Sequence, residues 1–164
     1  MTNEESAWLA GFWDGEGTIT VFKHKEKTGW KLCPTMCIVN TDPNLINQTQ
    51  KLCEKIGVQL ALFTRNPKKK EHAISYQLNT RNMEYILKLI ETIKPYLVGK
   101  LAQAEITERF TKSRLKHRTN GGRPLPYTDK EWKMSEDLYV LNAKGVSRAL
   151  NDYVLDTQSG EDIV

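Results

Sequence analysis

The sequence predicts an α+β fold: one four-stranded antiparallel sheet carrying helices, in the order αββαββα, with further helices after it. Three observations predict it. Apolar residues recur at helical spacing in segments that open on capping side chains and close at glycine or proline. Between them lie β-branched runs that alternate with a period of two. These runs come in adjacent pairs joined by short turns, the pattern of hairpins rather than of parallel βαβ units. Helices on one side would leave the other face of the sheet to water or to a ligand.

The elements follow in order. Thr2 and Glu5 form a capping-box pattern for a helix over roughly residues 3–14, ended by Gly15 and Gly17. Residues 18–25 (T-I-T-V-F-K-H-K) read as a strand, K-T-G-W as a turn, and residues 31–39 as the returning strand. Pro34 inside it marks a bulge or an edge. Thr41-Asp42-Pro43 starts a helix, with a capping side chain before proline. Leu45, Ile46, Thr49, Leu52, Cys53 and Ile56 keep its 3.6-residue period until Gly57. Residues 58–65 and 73–79 are two more strands, joined by the basic loop N-P-K-K-K-E-H. Residues 83–93 form an amphipathic helix followed by Pro95, and residues 100–116 another. After a Gly- and Pro-rich loop, Thr128 and Asp137 mark the starts of two shorter helical segments, the first with Glu131 completing a second capping box. Residues 1–150 read as one domain and 151–164 as a flexible acidic tail.

A chain of 164 residues is long enough to bury one real core, and 39% apolar with 27% charged residues is an ordinary globular balance. No apolar run is long enough to cross a bilayer, so no membrane partner is expected. The N-terminal M-T-N-E-E-S resembles neither a secretory signal nor an Arg-rich transit peptide. Cys33, Cys37 and Cys53 form no CxxC pair, and His24, His72 and His117 have no ligand spacing, so zinc is not expected and buried free thiols are. The net charge of +4 is unevenly spread. Residues 61–120 hold 13 Lys or Arg against 5 Asp or Glu, while the last fourteen residues hold four acids and no base. A positive middle suits a polyanion, though charge alone is weak evidence for nucleic acid.

The chemistry-bearing stretch is W-L-A-G-F-W-D-G-E-G, residues 8–17. Ala7, Ala10, Gly11 and Asp14 fall at i, i+3, i+4 and i+7, a small-residue face that permits close approach of a second helix, in this chain or in a symmetry mate. Leu9, Phe12 and Trp13 point elsewhere, into a core. Asp14 sits at the helix C-terminus, where the macrodipole disfavours an anion unless a cation or a donated hydrogen bond compensates. Glu16 stands between two glycines, free to project beyond the helix. A solvated turn would also explain a lone D-G-E-G.

L-A-G-F-W-D-G-E-G, residues 9–17, resembles the defining motif of the LAGLIDADG homing endonucleases, most closely the short single-motif members encoded in organellar group I introns. P-Y-L-V-G-K-L-A-Q-A, residues 95–104, resembles a second family segment whose basic active-site residue would be Lys100. I-V-N-T-D-P, residues 38–43, resembles the junction that gives a polar residue beside the active site, Thr41 here. The resemblance implies the LAGLIDADG fold with a DNA-binding sheet and a site-specific endonuclease that hydrolyses both strands of a long pseudo-palindrome. It also implies divalent metal (Mg2+ or Mn2+, with Ca2+ binding without supporting cleavage), intron homing, and an organellar location if the intron is organellar, otherwise a cytoplasmic one. Glu16 would hold the metal, Gly15 could add its backbone carbonyl, and Asp14 would support the helix end or assist at the metal. Lys100 would steady phosphate charge or polarise water, and Thr41 would orient solvent.

One motif brings one acid, and the resemblance implies the family's way of cutting both strands, a homodimer with two motif helices packed about a two-fold axis, here through Ala7, Ala10, Gly11 and Asp14. The strands would read double-stranded DNA through Thr20, Phe22 and His24 on the first, with Ser75, Gln77 and Asn79 on the fourth. Arg65 and Lys68, Lys69 and Lys70 would add guanine or phosphate contacts, Leu62 and Thr64 on the third strand are expected DNA contacts as well, and Lys144 and Arg148 near the C-terminus would touch the DNA backbone. On the second strand Met36 and Ile38 are expected contacts, although Leu32, Pro34, Met36 and Ile38 suit a polar reading face poorly. A strand of ~7 residues rising ~3.3 Å each covers roughly seven base-pair steps, so two subunits imply a target of about twenty base pairs. The competing readings are an intron RNA-binding maturase and a non-catalytic DNA-binding protein on the same fold.

Overall fold

The structure, a computed structural model, describes residues 1–67, 73–117 and 125–143. Helix α1 spans Asn3–Glu16, strands β1 and β2 Gly17–Glu26 and Gly29–Asn40, and helix α2 Pro43–Lys55. Strands β3 (Ala61–Arg65) and β4 (Ser75–Thr80) follow. Helices α3 (Met83–Ile93), α4 (Leu101–Lys116) and α5 (Asp129–Asn142) complete the described fold, with one 3-10 turn at Lys94–Tyr96. The four strands form one antiparallel sheet in the order β1-β2-β4-β3. Lys68, Lys69, Lys70, Lys144, Arg148 and the acidic tail lie outside the described residues. Among the described residues, no helix is long and apolar enough to cross a membrane.

Local chemistry sets the helix ends. Thr2 Oγ1 accepts from Glu5 N at 3.2 Å while Glu5 Oε2 accepts from Thr2 N at 3.0 Å, the reciprocal box the sequence predicts. Thr128 and Glu131 repeat it at the start of α5. Asp42 caps α2, with Pro43 in its first turn. Gly57, at φ +68°, supplies the left-handed residue just past that helix. Two boundaries differ from expectation. Asp137 lies inside α5, which continues unbroken because Leu138 and Ser135 bury its middle. The third strand pairs only from Ala61, since Val58 and Leu60 turn into the core instead.

Register decides which side chains face inward. Gly17 pairs with Ile38, Ile19 with Met36 and Val21 with Pro34, while Leu78 pairs with both Ile38 and Leu62. That row meets Leu9, Ala10 and Trp13 of α1, Ile46, Leu52 and Cys53 of α2, and Ile86, Leu89, Ile90 and Ile93 of α3. Met36 and Ile38 are therefore core residues, fully buried, and the expectation that they contact a ligand on the open face is corrected. Leu62 and Thr64 share the parity of Leu78 and Tyr76 and face the helical side. They remain exposed because β3 is an edge strand. The opposite face carries Thr18, Thr20, Phe22 and His24 of β1, and Lys31, Cys33, Thr35, Cys37 and Val39 of β2. Phe63 and Arg65 of β3, with Ser75, Gln77 and Asn79 of β4, complete it.

A second, smaller cluster joins Val21 and Leu32 to Ile106, Phe110 and Leu138, fixing α4 and α5 under the hairpin end. Polar groups finish the strands here. Val21 lies on the free edge of the sheet, and its carbonyl accepts from Ser135 Oγ at 2.9 Å. Asn142 Nδ2 donates to the Ile19 carbonyl at 3.2 Å, so α5 covers the free edge of β1. Leu32 lies beyond the last residue of β4, and the Tyr127 hydroxyl replaces a strand, accepting from its N–H at 3.1 Å and donating to its carbonyl at 3.2 Å.

Candidate active site

Helix α1 runs to Glu16, two residues further than expected, because Gly17 N donates back to the Trp13 carbonyl. A Cβ at position 17 would sit 2.3 Å from the Trp13 ring, so only glycine lets β1 leave the helix here. The turn fixes Glu16 at the negative end of α1. Trp13, fully buried, anchors that end in the core.

Asp14 has found its compensation inside the chain. Its Oδ2 accepts from Val98 N at 2.7 Å and its Oδ1 from Lys100 N at 2.8 Å, which pins the segment ahead of α4 to the end of α1. The Lys100 Nζ donates to the Asp14 backbone carbonyl, placing a cation on the negative end of the helix. Burial pushes the Lys100 ammonium below its ordinary value, and the Asp14 and Glu16 carboxylates partly restore it. Glu16 is different. It is exposed, and no described residue donates a hydrogen bond to its carboxylate. Gly15 is exposed as well, with open space where a side chain would be. Thr41 is exposed in the bend before α2, beside Asn40, whose Oδ1 accepts from Asp42 N at 2.8 Å. No hydrogen bond joins Thr41 to Glu16, Asp14 or Lys100.

A family model described as the LAGLIDADG-like domain matches residues 3–94, more than half of the chain. The chain belongs to this family. No curated protein matches it. Among solved structures, the archaeal intron-encoded homing endonuclease I-Vdi141I complexed with DNA superposes with a TM-score of 0.67, at 16% identity and 94% coverage of each chain. I-CvuI, in complex with the I-CreI target in the presence of 2 mM Mg, superposes with a TM-score of 0.62 at 16% identity, over 98% of this chain and 97% of that one. I-GzeII in complex with its DNA target gives 0.56 at 16% identity, with 90% of this chain covering 48% of the other. At these identities the likeness is one of fold.

Within the LAGLIDADG helix the exposed face is turned from the expected one. Ala10 is fully buried against the chain's own core, which corrects its expected place in a contact between copies. The open ridge is Ala7, Gly11 and Gly15 at four-residue spacing, with nothing within 4 Å of a Cβ built on either glycine. Trp8, stacked on Phe12 at 5.4 Å, flanks it.

On the open sheet face Thr20, Phe22, His24, Arg65, Ser75, Gln77 and Asn79 stand where alternation puts them. The His24 ring lies 5.3 Å from that of Phe22 and meets Glu26 at 3.1 Å, while Gln77 Nε2 donates to Cys37 Sγ at 3.6 Å. Sequence reasoning missed the odd-numbered row of β2 (Lys31, Cys33, Thr35, Cys37 and Val39) and missed Arg81. The signal for the row was parity against Ile19 and Val21. Cys33 and Cys37 are half-buried there; burial raises both thiol pKa values, with Arg81 and Arg65 respectively pulling them part of the way back. Cys53 is the deeply buried thiol, pushed up to about 12.

Proposed function

We propose that this chain is a site-specific endonuclease that hydrolyses both strands of a long pseudo-palindromic DNA target as a homodimer, serving intron homing. The observation that carries the reading is the division of labour at the end of α1. The Asp14 carboxylate is spent on the main-chain N–H groups of Val98 and Lys100, while Glu16 is left exposed beside the half-buried Lys100 amine.

The donor set suits magnesium. Glu16 offers hard oxygen, and such a cation takes one or two carboxylates and fills its remaining positions with water and phosphate. Among the described residues no three carboxylate, imidazole or thiol side chains converge, so one chain does not make a closed cage. When bound, the ion would neutralise developing charge on the scissile phosphate and leaving oxygen. Lys100, held against the Asp14 carbonyl, would present its ammonium to phosphate oxygens, and its lowered pKa makes proton release easier than from a free lysine. Asp14 positions Lys100 through its main-chain N–H rather than meeting substrate.

Two copies would meet along Ala7, Gly11 and Gly15, where missing side chains allow close helix approach and bring two Glu16 residues near one axis. The match of nearly the whole chain to about half of I-GzeII supports a two-copy particle. The open sheet face would lie in the major groove, with Gln77 and Asn79 able to make bidentate contacts and Arg65 a guanine or phosphate contact. The test is magnesium-dependent cleavage of DNA spanning the intron insertion junction, by the wild type and Glu16→Gln. Cleavage that survives Glu16→Gln at the wild-type rate refutes the assignment, and specific binding to intron RNA without DNA cleavage turns the reading to a maturase.

A further inference from the structure

We propose that Arg81 is a specificity-determining side chain of the open sheet face, taking a guanine edge in the major groove; this rests on the DNA-cleaving reading above. Arg81 follows Thr80, the last residue of β4, and keeps the parity of Gln77 and Asn79, so it rises from the open face. Its guanidinium carbon lies 5.1 Å from the centre of the Phe22 ring. Phe22 belongs to β1, paired with Cys33 of β2, so the Arg81 side chain spans β2 to reach it. Its charge is felt at the Cys33 thiol between them. The guanidinium is therefore held over the interior of the sheet face and not at its rim.

Among the described residues, none takes up its donors. Arg81 is exposed and donates no hydrogen bond to any described residue, whereas Arg114 is buried and uses its guanidinium on Glu131 and on the carbonyls of Leu125 and Pro126. Lying over an aromatic ring restricts the side chain without consuming its N–H groups. A fork fixed in direction is what bidentate contact with guanine O6 and N7 requires. A phosphate contact needs only charge, and would suit a mobile side chain at the edge. The floor around it (Cys33, Thr35 and Thr20) is small, leaving room for a base-pair edge to approach.

The experiment selects bound duplexes from a randomised double-stranded pool, in Ca2+ so that bound DNA stays intact, using wild type, Arg81→Ala, Arg81→Lys and Phe22→Leu. The wild type should enrich a guanine at one position of each half-site, with a preference on the order of tenfold to a hundredfold. Arg81→Ala and Arg81→Lys should both lose that preference while keeping the rest of the site, because lysine retains charge but not the fork. Phe22→Leu should weaken it. An unchanged guanine preference in Arg81→Ala overturns the inference. So does an even loss of affinity across all duplexes with a shallower salt dependence, the sign of a phosphate contact. A wild type that enriches no duplex refutes the DNA reading itself, and the Arg81 assignment falls with it.

Discussion

Two acid–base clusters lie at the two ends of α4, and they have been put to opposite uses. At the N-terminal end, Lys100 and Asp14 tie the helix to α1 and leave Glu16 in solvent. At the C-terminal end, Glu131 is fully buried and satisfied on both oxygens. Oε1 takes Ser113 at 2.8 Å and His117 at 3.3 Å, and Oε2 takes Arg114 at 3.1 Å and Thr128 N at 2.9 Å. Arg114 also covers the Tyr127 ring at 4.4 Å, whose hydroxyl completes the backbone of β2 at Leu32. A carboxylate whose needs are met by its own chain holds the fold together. One left open is available to a ligand. The contrast predicts that substituting the open acid of the first cluster, Glu16, separates activity from stability, and that substitutions at the second cluster do not.

The sharpest break of that contrast is Glu16→Gln. Cleavage should fall on the order of a thousandfold, as expected for losing several kcal/mol of transition-state stabilisation from a bound metal. Thermal unfolding should be unmoved, because the side chain touches nothing it would leave unpaired. A lowered melting temperature would place Glu16 with the structural cluster. The converse is Arg114→Met, which strands Glu131 in the interior and should cost about 3–5 kcal/mol of unfolding free energy. Chemical denaturation measures it, and a change below about 1 kcal/mol would mean the pair carries little.

Much of this was legible in the sequence because it is local. Capping boxes at Thr2 and Thr128 need only three residues of foresight, and the alternation of β1 shows which side chains rise from the sheet. The errors arise where a decision needs a distant partner. Ala10 and Ala7 sit on neighbouring sides of a helix, and only the packing of α1 on the rest of the core decides that Ala10 is covered. Asp137 sits in a sequence that could start a helix, but Ser135 reaching the Val21 carbonyl keeps α5 continuous across it. Arg81 falls after its strand, so its place on the open face depends on register carrying past Thr80. The different fates of Asp14 and Glu16 turn on main-chain donors at Val98 and Lys100, more than eighty residues away, which Asp14 takes.

Asp14→Asn probes the joint between stability and activity at the first cluster. The amide retains one acceptor for the two N–H groups at Val98 and Lys100, and losing a hydrogen bond to a charged acceptor should cost about 1.5–3 kcal/mol. If Asp14 positions Lys100 rather than meeting substrate, cleavage should fall less than in Glu16→Gln, with the loss in kcat more than in KM. An effect on cleavage as large as that of Glu16→Gln, without loss of stability, would make Asp14 a metal ligand instead.

The smallest effect is the dependence of stability on acid. Burial raises the Glu131 pKa, but the Thr128 N–H, Ser113, His117 and Arg114 lower it further, and the net value lies below the ordinary 4.5. A carboxyl depressed in the folded state contributes stability that is present above pH 4.5 and is lost as pH falls through its folded value. Glu108 also lies below the ordinary value, with Lys112 and Lys94 outweighing the effect of its burial, so it acts in the same window. Glu131→Gln, less stable at neutral pH, should therefore show a flatter decline below pH 4.5 than the wild type, and Glu108→Gln a smaller flattening, since its partners are partly exposed. The reverse order would assign acid sensitivity to the α3–α4 surface and leave the buried cluster ionised throughout the transition.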